Sequence, residues 1–281
     1  MFEELNTPQD HMYFYAFGSV FLMNFLLWLF CQTLGKRDNS WIDVMWGLMF
    51  CWPNAVILYM RGGEDISDRM WLVSIPVFIW GLRLAFYIFI RHKQEDYRYK
   101  EMRLRWEEGG TFTYLKNSFI FIALMQGLFS IITNASALYI NFYSSKLSKP
   151  LGATDFAGIA IWALGFGIEV IADFQLASHL ANPKPGTGKF IKSGLWRYSR
   201  HPNYFGEALL WWGIFLIACG ESGGWVTFFS AAFITWALRY FSGVPFPEKK
   251  YASNPEWQQY CSETNVFVLM PMKKNTVNGL K

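Results

Sequence analysis

The residues best suited to chemistry lie together in Tyr198-Ser199-Arg200-His201-Pro202-Asn203-Tyr204-Phe205-Gly206-Glu207. A guanidinium and an imidazole stand just ahead of a proline, and proline suits the first turn of a helix, where backbone N–H groups are free. Arg200 and His201 at such a terminus form a natural anion site. Asn203 and Glu207 are four residues apart and share one helix face. The chain beyond Pro202 is apolar, so Glu207 lies about one turn inside that run, where a carboxylate is costly without a partner. A juxtamembrane cluster meeting lipid phosphates accounts for Arg200 and His201 equally well, but not for Asn203 and Glu207 together.

The elements that must position these groups are apolar helices. Apolar residues fill 53% of the 281 positions, aromatics 20% and charged residues 16%. A soluble domain usually carries about 25% charge, so lipid is the expected solvent. Apolar runs near the length of a bilayer crossing, roughly 20 residues, occur at 12–32, 41–60, 70–90, 117–141, 155–178, 203–219 and 225–241. The last two are split only by Gly220–Gly224 and predict a helical hairpin. Open sheet is not tolerated in hydrocarbon because unpaired backbone groups are costly. The expected fold is therefore all-α, a multi-pass bundle of about seven helices. It forms one domain over 1–281, with N-terminal spans over 12–141 and C-terminal spans and loops over 155–271.

The basic residues orient it. With seven spans, the loops after spans one, three and five share a side with the C-terminal tail, and these segments hold 19 of the 25 Lys and Arg residues. Arg61, Arg69, Lys146 and Lys149 fall on the other side, while Arg83 and Arg239 lie within helical runs. The N-terminus is thus expected outside and the C-terminus inside. Glu3, Glu4 and Asp10, with no basic cluster, argue against a cleaved secretory or transit segment, so the first span is expected to act as its own insertion signal. Cys31, Cys51, Cys219 and Cys261 lack metal-ligand or CxxC spacing, and neither a disulfide framework nor a zinc site is expected. His11 and His92 have no partner at ligand spacing and are expected to be solvated loop or interface residues. Asp43, in the second span, is either a candidate acid or a structural partner for Arg83.

The stretch GLWRYSRHPNYFGEALLWWG, from Gly194, resembles the C-terminal signature of the steroid 5α-reductase-like superfamily, in its DUF1295-type branch of multi-pass membrane proteins. The likeness extends to Glu169-Val-Ile-Ala-Asp173-Phe-Gln175, Ser242-Gly243-Val244-Pro245, Glu248-Lys249, Tyr260 and Pro271. In the N-terminal half it includes Arg37-Asp38, Asp43-Val-Met-Trp46-Gly47, Trp80-Gly81-Leu82-Arg83 and Glu95-Asp96-Tyr97-Arg98-Tyr99. The RHPxYxG element alone is shared with the isoprenylcysteine carboxyl methyltransferases, which use S-adenosylmethionine.

The resemblance implies a membrane-embedded reductase that binds NADPH through its later spans and reduces a carbon–carbon double bond conjugated to a carbonyl. Its substrate would be a hydrophobic lipid or sterol-like molecule entering from the membrane lipids. Asp173, Asn203 and Glu207 match positions at the nicotinamide and ribose end. Arg98, Tyr99, Tyr198, Arg200, His201 and Tyr204 match the rest of the cofactor-binding set. Asp43 and Glu207 are the carboxyls expected in the catalytic role. The pattern departs in two places. Trp80 stands near the position where characterised reductases carry a tyrosine, and Ala177-Ser178-His179-Leu180 lacks the basic residue expected there. These departures leave open a non-catalytic subunit of a larger membrane complex. The shared RHPxYxG element leaves a third reading, an S-adenosylmethionine-dependent lipid methyltransferase, which Asn203 and Glu207 disfavour. No nucleic-acid partner and no metal are expected. Endoplasmic reticulum, mitochondrial inner membrane and bacterial inner membrane are not distinguished.

Overall fold

The computed structural model describes residues 8–63, 65–181 and 190–272, and within them every regular element is helical. Five helices are long and apolar enough to cross a membrane. These are α1 (Pro8–Gln32), α2 (Trp41–Arg61), α3 (Asp68–Arg91), the continuous stretch Gly110–Tyr143, and α7 (Ala153–Ala181). The continuous stretch comprises α5 (Gly110–Ser118), a π-helical turn (Phe119–Leu124) and α6 (Met125–Tyr143). Between α3 and α5 lies the short basic helix α4 (Tyr97–Glu107). α8 (Pro202–Ala218) has 17 residues, about 26 Å of rise, and so falls short of a full hydrocarbon thickness by itself. α9 (Phe228–Trp236) is entered through a 3-10 turn (Gly224–Thr227) and leaves through a π-helical turn (Ala237–Phe241). The small helices α10 (Pro245–Tyr251) and α11 (Pro255–Glu263) follow.

The chain forms two compact units, residues 1–155 with 217–227, and residues 156–216 with 228–281. In the first, α2 packs against α1, α3 and α6. Its crossing with α3 is set by glycines: a Cβ on Gly47 would lie 2.1 Å from the Gly81 carbonyl oxygen. The tryptophan–glycine pairs Trp46-Gly47 and Trp80-Gly81 thus mark a backbone-to-backbone contact, the usual way helices approach closely in lipid. Behind it, Asn141 donates to Asn54 Oδ1 at 2.6 Å, and Asn54 donates to Asn134 Oδ1 at 3.2 Å. Asn54, Asn134 and Asn141 are fully buried, so the amides satisfy one another where water is excluded.

A second fastener of this unit is ionic. Arg69 donates to both Asp155 oxygens, at 2.8 and 3.0 Å, and to Glu221 at 3.2 Å. It ties the start of α3 to the first residues of α7 and to the 217–227 turn. His92 departs from expectation. Its side chain is 10% exposed, 3.1 Å from Asp38, and its ring packs on Trp41. Capping the end of α3 brings it against the loop before α2, a contact that local spacing does not reveal.

Candidate functional site

The second unit is built on the pairing of α7 with α8. Glycines again allow the backbones to touch. A Cβ on Gly206 would stand 2.6 Å from both Glu169 N and Gly165 O, and one on Gly165 would stand 2.5 Å from Leu210 N. Close approach here sets the α7 face carrying Glu169 and Asp173, one turn apart, against the α8 face carrying Asn203 and Glu207. All three carboxyls are buried.

Asn203 Nδ2 donates to Asp173 Oδ1 at 3.3 Å. The carboxylate fixes the orientation of the amide, because turning Asn203 over would face oxygen against oxygen. Its Oδ1 is therefore directed away from Asp173, and it is buried with no hydrogen-bond donor. An orphaned acceptor of this kind costs about 1–3 kcal/mol, which a donor from a bound molecule would offset.

The approach to α8 is fixed by contacts of the preceding loop with α7. Gly194 has φ of 63°, and a Cβ there would collide with the Gln175 amide at 2.4 Å. Gln175 Oε1 accepts from Leu195 N at 3.0 Å, and Trp196 Nε1 donates to Ala172 O at 3.1 Å. Gln175 in the Asp173-Phe-Gln175 element thus shapes the loop, two residues after Asp173 helps shape the buried cluster.

Arg200 and His201 meet at Glu248. Arg200 donates through Nε to Glu248 Oε1 at 2.8 Å and through Nη2 to Oε2 at 3.2 Å, while Nη1 serves the carbonyls of Cys261 and Thr264 at 3.1 and 2.6 Å. His201 Nε2 lies 2.9 Å from Glu248 Oε1, and Tyr204 stacks on the His201 ring. Ser199 Oγ donates to Phe267 O at 2.7 Å, and Tyr260 donates from its hydroxyl to Trp196 O. This network fastens the segment after α9 to the loop before α8. Burial acts to raise the Glu248 carboxyl, but hydrogen bonds from His201 and Arg200 and the Arg200 charge outweigh it and hold the group at about 2. Burial pushes the His201 imidazole below its ordinary range against the pull of Glu248. Tyr198 stands more open, at 43% exposure.

The remaining candidates belong to the first unit. Asp43 accepts from Arg98 Nη2 at 2.8 Å and from the Tyr99 hydroxyl at 2.6 Å. Asp96 caps α4 by accepting from Arg98 N at 2.9 Å and also takes Arg98 Nε at 2.8 Å. Burial first, and the nearby Asp43 carboxylate second, raise the Tyr99 hydroxyl well above its ordinary range. Asp43 thus gathers two residues expected at a cofactor into one hydrogen-bonded group. Arg83 lies over the Tyr87 ring at 4.9 Å. Glu248 and Gln175 are further residues that shape the site. Glu248 stands 47 residues from His201 with no local pattern to signal the contact.

Residues 27–264 match the family model described as a protein of unknown function, DUF1295. An uncharacterised protein of Schizosaccharomyces pombe (strain 972) is 24% identical over 225 residues. That alignment covers 70% of this chain and 61% of the relative, so less than two thirds of the relative's length is spanned. No solved structure matches.

Proposed function

The chain belongs to the DUF1295 family, and from that premise we propose that it is a membrane-embedded NADPH-dependent reductase of a double bond conjugated to a carbonyl, acting on a lipid or sterol-like substrate. The proposal takes the chain to cross the bilayer seven times, with α8 and α9 as a short final hairpin, the N-terminus outside and the C-terminus inside. Its place in the steroid 5α-reductase-like superfamily is part of the same proposal.

The observation that carries it is the buried, donor-less Oδ1 of Asn203 beside Asp173. A carboxamide such as that of nicotinamide has the N–H this acceptor lacks. Asp173 and Glu207 are buried acceptors suited to ribose hydroxyls and to the second carboxamide hydrogen. Bound NADPH would supply the hydride for the β-carbon of the enone, and a proton from water or a protein acid would complete the saturated carbonyl at the α-carbon. The protein's own part is to fix the carboxamide with Asn203 and Glu207 and to exclude water from the α7–α8 pair. Asp43 orders Arg98 and Tyr99, and Arg200 with His201 orders the loop that carries Tyr198.

One observation favours a second reading, a non-catalytic subunit that keeps the fold. Arg98 and Arg200, the arginines expected at phosphates, already hold Asp43, Asp96 and Glu248. Identifying the nucleotide that copurifies in mild detergent, with NADPH consumption measured on a panel of enone lipids, separates the readings. NADPH with turnover supports the reductase. Copurified S-adenosylhomocysteine replaces it with a methyltransferase, and no nucleotide and no turnover across the panel leaves the subunit.

A further inference from the structure

In the first unit, the ends of α1 and α3 and the start of α2 border an open groove of about 490 Å3. One wall is apolar, formed by Phe30, Leu34 and Trp41, and Leu34 is 80% exposed. Lys36 and Lys93 supply its positive charge.

The two carboxylates in the groove are already engaged. Asp38 meets His92 at 3.1 Å and accepts from Ser40 N at 2.9 Å, while Glu95 accepts from Arg103 Nη2 at 2.7 Å. Lys36 and Lys93 form no ion pair with a described residue. The loop between α1 and α2 is turned to produce this separation. Lys36 and Arg37 have φ of 54° and 63°, a left-handed conformation that non-glycine residues adopt at a cost. Across that turn Arg37 reaches Glu107 at 2.9 Å and lies over the Tyr114 ring, while Lys36 lines the groove.

We propose that this groove binds an anionic glycerophospholipid, its phosphate at Lys36 and Lys93 and an acyl chain along Phe30 and Leu34. It lies at the ends of three helices that read as spans, the depth at which headgroups sit. The lysines select negative charge, and both carboxylates of the groove are already hydrogen-bonded within the protein, Asp38 by Ser40 and Glu95 by Arg103. The exposed apolar wall distinguishes a lipid from a soluble phosphate. None of the residues lining the groove is among those proposed to hold the nucleotide.

The test is native mass spectrometry of the full chain in mild detergent, titrated with dioleoylphosphatidylglycerol, with dioleoylphosphatidylcholine, and with inorganic phosphate as competitor. Wild type should prefer the anionic lipid by about tenfold, with phosphate competing poorly, since two lysines near a membrane surface contribute at least that much. Lys36→Gln with Lys93→Gln should bring the two lipids near parity, whereas Lys100→Gln with Lys116→Gln, which removes equal charge from exposed positions outside the groove, should leave the preference intact. Equal retention of both lipids by wild type, an equal loss in both double variants, or displacement by millimolar phosphate would each overturn the proposal. The thermal midpoint of each variant shows that it remains folded.

Discussion

Arg200 spans the Glu248 carboxylate with two nitrogens, at 2.8 and 3.2 Å, and His201 shares the same carboxylate from its other neighbour on the loop. A basic pair that suggests an anion site in the sequence is thereby supplied with an anion by the protein itself. All three guanidinium nitrogens of Arg200 are in use, and what they hold is the chain that follows α9.

Acidification should loosen that segment first. The Glu248 carboxyl is held at about 2, below its ordinary value near 4.3, so its stabilisation is complete above about pH 4.5 and is lost as pH falls toward 2. His201 is shifted downward as well. Its unprotonated form is favoured in the fold, so it too subtracts stability on acidification, beginning below about pH 6.5. Glu248→Gln should remove the lower part of this dependence and cost on the order of 1–2 kcal/mol near neutral pH, a figure reduced for its partial exposure. Thermal midpoints in detergent between pH 3 and 7, wild type against variant, check the sign. A midpoint that rises on acidification contradicts it.

Gly206→Ala should damage the α7–α8 pair. The added methyl would meet backbone atoms of Glu169 and Gly165 at 2.6 Å, and neither can rotate aside. Overpacking of this kind costs roughly 1–3 kcal/mol. Gly18→Ala, where nothing lies within 4 Å of the new carbon, is the control. Thermal midpoints should fall for the first and hold for the second.

The long helices were legible because apolar runs are long-range signals that survive averaging. The run 41–60 becomes Trp41–Arg61, and 155–178 becomes Ala153–Ala181. The expected start at 117 is early in the structure, at Gly110, because Gly-Thr-Phe-Thr-Tyr-Leu-Lys carries no continuous apolar signal yet continues into the same helix. The basic helix α4 had none either. Asn203 and Asp173 could be chosen from the sequence as candidates, but their contact depends on Gly165 and Gly206 letting two backbones meet. The pairing of Asp43 with Arg98, 55 residues apart, depends on how α4 returns to the head of α2. Such contacts are made by tertiary packing, and spacing along the chain does not record them.

Topology supplies a third prediction. Single cysteines introduced near Lys93 and Lys192 should react with a membrane-impermeant maleimide on one side of intact membranes, and those near Gly63 and Lys146 on the other. A label at Lys192 that behaves like one at Lys146 would break the seven-span arrangement and its orientation.

The last prediction separates an enzyme from a structural subunit, and it rests on Asn203 with Glu207. Asn203→Leu removes the buried acceptor Oδ1 but also the Nδ2 donor to Asp173. In a protein with nothing bound there, the relief of one unsatisfied atom is offset by the hydrogen bond lost to a buried carboxylate, and the thermal midpoint should not rise. A protein that uses Oδ1 to receive a carboxamide hydrogen should lose about 1–3 kcal/mol of nucleotide binding, roughly fivefold to more than a hundredfold in Kd. Glu207→Gln preserves shape and much of the hydrogen bonding, and it should lower NADPH turnover on enone lipids by at least about tenfold, equivalent to about 1.4 kcal/mol. Both variants are compared with wild type at matched protein level, by thermal midpoint and by nucleotide titration. Nucleotide binding and turnover unchanged in both variants, with the midpoint showing each still folded, would remove the α7–α8 pair from the chemistry. That outcome would leave Asn203 and Glu207 as structural groups of a helix pair.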